Sequence, residues 1–257
     1  MNSKLLRHLA GIAFGGLLTL APAAAHDFFL LPGEFEPGGA STNIAATVGS
    51  AFPTPEIIVT ADRIGAVTVR SARGSARVAV LGPRDKALEL ALTSPETGPA
   101  VVAVALKPRD VEYGEDRIDL ILEEYHVSTA AKAAVAALPR PRTLKVDSRR
   151  FAKTVVCRST CEGLATVPAE RFELEFVPVA AGAFRLLEGG APVATYPVTI
   201  ATRDGKRRHV ETDAKGEIAL PTDATGPVML FASTMATPQA AGQRFILRLT
   251  SLTAERP

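Results

Sequence analysis

Short apolar runs separated by Gly and Pro breaks fill most of the chain. Phe28–Leu31 stops at Pro32-Gly33, and Pro37-Gly38-Gly39 turns the chain before Thr42–Val48. Ile57–Thr60, Ala66–Arg70, Ala76–Leu81, Ala87–Thr93 and Ala100–Leu106 follow, with Gly65, Gly74, Gly82-Pro83, Pro95 and Gly98-Pro99 between them. Runs of this length at near-regular spacing, each closed by a breaker, predict antiparallel strands stacked as a sandwich.

The period changes after Pro108. Ile118, Ile121, Leu122 and Tyr125 recur at helical spacing, which predicts an apolar helix face. A second, Ala-rich piece starts at Ser128, a suitable N-cap, and ends before Pro139 and Pro141. Strand-like sequence returns at Leu144–Val146 and Phe151–Val156. It dominates again from Phe172 to Leu252, punctuated by Glu188-Gly189-Gly190, Arg203-Asp204-Gly205 and Asp213-Ala214-Lys215-Gly216. The expected architecture is mainly β, with two immunoglobulin-like antiparallel β-sandwich modules and a short helical connector. Residues 26–165 would form the first module, with the helical insertion at 115–138, and residues 166–257 the second.

Residues 1–25 read as a cleavable secretory signal. Lys4 and Arg7 precede an apolar stretch from Leu9 to Ala21 and the small residues Ala23-Ala24-Ala25. That apolar run is too short to span a bilayer, so the expectation is an exported, periplasmic protein that does not insert in the membrane once the signal is removed. Two of the 29 basic residues lie in this leader, and the remainder balance the 27 acids. A neutral chain without a basic block gives no reason to expect nucleic acid as partner. The absence of Trp and the presence of only three Tyr argue against an aromatic platform for sugar rings.

Candidate chemistry then narrows to histidine and cysteine. Cleavage after Ala25 would leave His26 first, so that its amine and imidazole could close a chelate ring on Cu(II) or Ni(II), which favour tetragonal nitrogen ligands. His126 ends the amphipathic helix beside Glu123 and Glu124, and His209 follows Lys206-Arg207-Arg208 in what reads as a solvated hairpin. Either could complete a metal site with His26, although no spacing connects them. Cys157 and Cys161 are the only cysteines, and a disulfide is the default in an oxidising compartment. Residues four apart on a strand are roughly 13 Å apart, so that bond requires a local turn; a redox-active or Cu(I)-binding pair is the sharper alternative. There is no nucleophile elbow, H-E-x-x-H pair, phosphate loop or dinucleotide fingerprint, and an enzyme is not expected.

The opening His26-Asp27-Phe28-Phe29-Leu30-Leu31-Pro32 resembles the start of the mature chains in the family called domain of unknown function 4198. Glu123-Glu124-Tyr125, Ser148-Arg149-Arg150-Phe151-Ala152-Lys153 and Thr212-Asp213-Ala214-Lys215-Gly216 extend the likeness along the chain. The resemblance implies a periplasmic, non-enzymatic protein of two immunoglobulin-like modules, associated with nickel or cobalt uptake and partnered by an inner-membrane metal-uptake transporter. It carries over His26 as a ligand. Where members often have a His-Met pair late in the second module, this chain reads Ser233-Thr234-Met235. A transition metal (nickel, cobalt or copper) is the one cofactor these readings suggest. The alternative is a structural module that binds another envelope protein through a sheet edge without metal.

Overall fold

The computed structural model describes residues 26–240 and 242–255, so the expected leader at 1–25 lies outside the described residues. In chain order the strands begin with β1 (Asp27–Pro32), β2 (Ser41–Gly49), β3 (Ile57–Ile58), β4 (Ile64–Ser71), β5 (Arg77–Arg84), β6 (Ala87–Thr93), β7 (Gly98–Leu106) and β8 (Arg109–Gly114). Two helices follow, α1 (Glu115–Glu124) and α2 (Thr129–Ala136), and then the long β9 (Thr143–Arg158). The remaining strands are β10 (Leu174–Ala180), β11 (Ala183–Glu188), β12 (Ala191–Pro192), β13 (Pro197–Thr202), β14 (Arg207–Glu211), β15 (Glu217–Ala219), β16 (Pro227–Ala236) and β17 (Phe245–Glu255).

The fold is mainly β. One sheet runs β1-β2-β6-β5 with β3 beside β2, and a second runs β10-β11-β12 with β15 beside β11. A third, eight-stranded sheet runs β14-β13-β16-β17-β9-β7-β4, with β8 beside β9. Alternation along its strands builds separate cores. Val102 and Val104 of β7 pack with Leu30, Ile44, Leu88 and Leu90 of the first sheet. Leu230 and Leu252 pack with Phe176, Phe184 and Leu186 of the second. The opposite face of β16 and β17 presents Met229, Phe231, Leu247 and Leu249 to Ile118, Ile121 and Leu122 of α1 and to Val135 of α2. A two-residue side-chain period lets one strand serve a core on each face.

Several expectations are corrected. The strands are not uniformly antiparallel: β9 and β17 pair in parallel over nine positions, from Val146–Phe245 to Thr154–Thr253. The two runs expected at Leu144–Val146 and Phe151–Val156 are one 16-residue strand, β9. Its polar middle is held because Arg149 pairs with Asp147 at 2.7 Å and with Glu173 at 2.5 Å. Of the run expected at Val193–Ala201 only the part from Pro197 is strand, β13; β12 ends before it at Pro192, and Thr195 between them has a φ of 51°. Strand β8 was not anticipated, since only Val111 and Tyr113 interrupt its polar sequence. It pairs with the first part of β9, and its Val111 and Tyr113 pack, partly buried, against the core under the helices.

Strand β1 is tied down from two sides. Its backbone pairs with β2 from Asp27–Gly49 to Pro32–Ile44. The hydroxyls of Ser251 and Thr253 on β17 donate to the carbonyls of Phe28 and Leu30, each at 2.6 Å. Buried hydroxyls thereby satisfy carbonyls that an edge strand would otherwise leave without a partner.

Candidate functional site

Two of the three expected histidines meet. His126 follows α1 and His209 lies on β14, yet His126 Nε2 and His209 Nδ1 stand 3.1 Å apart, with ring centroids 4.7 Å apart and planes at 75°. The approach is set locally on both sides. The His126 N–H donates to the Glu123 carbonyl and the Val127 N–H to the Leu122 carbonyl, at 3.0 and 3.1 Å. That pattern is a Schellman ending with His126 in the left-handed position normally given to Gly, and its φ is 46°. On the other side, Val210 packs into the core between sheets, so Arg207 and His209 share the opposite face of β14. The β13–β14 register sets Thr199 beside His209, and Thr199 Oγ1 lies 3.1 Å from His209 Nδ1.

Burial first, and then the charges of His209, Lys132 and Arg207, lower the His126 pKa from its usual value. The neutral, metal-ready imidazole is therefore favoured at His126, against the helix C-terminus, whose partial negative charge favours the imidazolium. Among the described residues no three His, Cys, Asp or Glu side chains cluster as a metal site. The pair is two ligands short of a four-coordinate shell.

His26 makes a different contact: its Nε2 faces Glu56 Oε2 at 3.7 Å, and its carbonyl accepts from Arg150 at 2.9 Å. The neighbouring residue links this segment to the histidine pair. Asp27 is 1% exposed, and its Oδ2 accepts from Arg207, two residues before His209, at 2.9 Å. The hairpin expected around His209 is present as β13–β14, with Lys206, Arg208 and His209 exposed; Arg207 departs from that reading because the buried Asp27 captures its side chain. Burial raises the Asp27 pKa, outweighing Arg207 and Arg150. Glu124, beside His126 in sequence, is raised by its own burial and by the charge of Asp27. Asp27 Oδ1 and Glu124 Oε1 are buried without a hydrogen-bond partner. Sequence reading missed Asp27, Glu124, Thr199 and Arg207. The available signal was that Arg207 and His209 are two apart in sequence, the spacing of side chains on one face of a strand.

The expected pairing of Cys157 with Cys161 is present as a disulfide with the Cα atoms 5.0 Å apart. The chain turns there through Ser159 (φ 65°) and Gly163 (φ 79°). At the late position where the resemblance led us to look for a His-Met pair, Ser233 has a structural task. Its hydroxyl donates to the Tyr125 carbonyl at 2.6 Å and its own carbonyl accepts from Tyr196 at 2.6 Å. Met235 is buried against the helices.

Among solved structures, the chain is similar to the D0-D1 domain of Intimin at 14% identity, over 89% of this chain and 97% of that one, with a TM-score of 0.25. No curated protein matches it. Residues 23–236 match the family described as "Domain of unknown function (DUF4198)". That span takes in the opening motif, the connector with His126, the disulfide and His209, and the chain belongs to this family.

Proposed function

We propose that this protein is a non-enzymatic binder of a transition metal (nickel, cobalt or copper) in the periplasm, serving an inner-membrane uptake transporter. His126 and His209 are its preformed ligands. One observation carries the reading: Nε2 of His126 and Nδ1 of His209 are 3.1 Å apart. Metal–nitrogen bonds of about 2.0–2.1 Å at square or tetrahedral angles put two neighbouring ligand nitrogens about 2.8–3.4 Å apart. An ion replacing the shared proton sits off the line between the two nitrogens, so each ring turns to aim its lone pair at the ion while the nitrogens keep nearly their present separation. His26, with the amine freed by signal cleavage, is a third source of nitrogen, and the remaining positions are open to water or to the partner that takes the metal. The same proposal keeps the two-module reading, with each module a sandwich of one small sheet on part of the long sheet.

A second reading, docking of an envelope protein without metal, is favoured by the edge strand β5, where Val80 and Leu81 are 44% and 57% exposed. Equilibrium dialysis of the mature chain against Ni(II), Co(II) and Cu(II) separates the two. The metal reading expects one ion per chain, lost in both His126→Ala and His209→Ala. Binding unchanged in those variants overturns it.

A further inference from the structure

The cavity beside the chain start gathers an unusual set of side chains. It has a volume of about 450 Å³, and Arg63, Lys107, Arg109 and Arg150 line it together with Ile57 and Ile58. Elsewhere the arginines are mostly paired: Arg142 with Glu115 at 2.6 Å, Arg207 with Asp27 at 2.9 Å, Arg208 with Asp223 at 2.6 Å and Arg248 with Glu173 at 2.7 Å. Among the described residues, none of the four cavity cations has a carboxylate within salt-bridge distance. Arg63 donates only to the Lys107 carbonyl at 3.0 Å and Arg150 only to the His26 carbonyl at 2.9 Å.

Three acids are nearby. Asp27 feels Arg150 at longer range, but its hydrogen-bonded partner is Arg207 at 2.9 Å. Glu56 is occupied by the Ser50 hydroxyl and backbone N–H at 2.7 and 3.1 Å. Asp62 feels Lys107 and Arg63 at longer range, but its first partner is Thr60. The wall is as uncommon as the charge. Ile57 and Ile58 are 49% and 36% exposed, among the large hydrophobic side chains that this fold leaves in water. Unpaired guanidinium groups suit a carboxylate, which they can hold by two parallel hydrogen bonds. Exposed β-branched side chains at the same cavity suit an apolar body.

We infer that this cavity is a binding site for an organic carboxylate with an aliphatic or aromatic body. The anion lies among Arg63, Lys107, Arg109 and Arg150, and the body lies against Ile57 and Ile58. His26 also lines this cavity, but neither His126 nor His209 does, and the cavity's occupancy does not depend on a metal.

The test is calorimetric titration of the full mature chain, without metal, with octanoate, acetate, inorganic phosphate and octanol. The expected result is saturable one-to-one binding of octanoate, with acetate and octanol at least about tenfold weaker, since each lacks one half of the recognition. Lys107→Ala with Arg109→Ala should weaken octanoate about tenfold, and Ile58→Ser should weaken octanoate but not phosphate. Melting temperatures of the variants verify that they fold. No saturable octanoate binding, equal binding of octanoate and phosphate, or unchanged affinity in a folded Lys107–Arg109 variant would overturn the assignment. Failure here leaves the metal reading untouched, because no histidine is altered and no metal is present.

Discussion

His126 pays a conformational cost that nothing in the helix ending requires. At the position after the cap, Gly adopts positive φ freely, whereas an L-residue is strained by about 1–2 kcal/mol. The chain nevertheless has His there with φ 46°, and its ring is the one that reaches His209. His126→Gly should therefore separate the two roles. Relief of strain and the larger unfolded-state entropy of Gly nearly cancel, so stability should change by no more than about 1 kcal/mol in a urea melt. Metal binding should be lost. A large loss of stability with metal binding intact would show that the ring is a packing element and no ligand. His126→Ala keeps the strained Cβ and should be less stable than His126→Gly.

At the scale of elements, β9 holds the architecture together, because it pairs with β7, β8 and β17. It also carries a buried charge. Lys153 is 1% exposed and forms an ion pair with Glu175 of β10, likewise 1% exposed. Lys153 also donates to the Phe176 carbonyl at 3.1 Å, and Glu175 accepts from the Arg171 and Glu170 N–H groups at 2.9 and 3.2 Å. Burial lowers the Lys153 pKa in spite of Glu175. Removing one partner strands the other charge in an apolar interior, so Glu175→Ala should cost about 3–5 kcal/mol. Lys153→Met combined with Glu175→Leu should recover most of that loss, measured as urea midpoints. A Glu175→Ala protein as stable as wild type would mean that water reaches the pair. The helices were legible element by element: Ile118, Ile121 and Leu122 mark the buried face of α1, and Ser128 caps α2 by accepting from the Ala131 N–H at 3.3 Å. Strand β8 and the joining of β9 through Asp147–Arg150 were not, because long-range ion pairs replace the apolar alternation that reveals a strand.

For the whole molecule, local periodicity gave the β class and the breaks between strands, but it carries no information about which strands meet. The parallel β9–β17 pairing and the meeting of His126 with His209, 83 residues apart, are set by that topology. The Asp27–Arg207 pair is equally remote, at a separation of 180 residues. His126 also gives the folded state a pH dependence with a defined sign. Its native pKa lies below its unfolded value of 6.5, so the unfolded chain binds the extra proton. The stability that this contributes is fully present above pH 6.5 and is lost as pH falls from there through the native pKa. Melting temperature should fall over that window, and the fall should be shallower in His126→Asn; identical pH profiles would remove His126 from the account. The central claim is that His126 and His209 bind one ion together. Electron paramagnetic resonance of the mature chain loaded with one equivalent of Cu(II) tests it most directly. The account predicts nitrogen hyperfine structure from at least two imidazoles, absent in His126→Ala and in His209→Ala, which no longer hold the ion. A spectrum identical in wild type and both variants would contradict it.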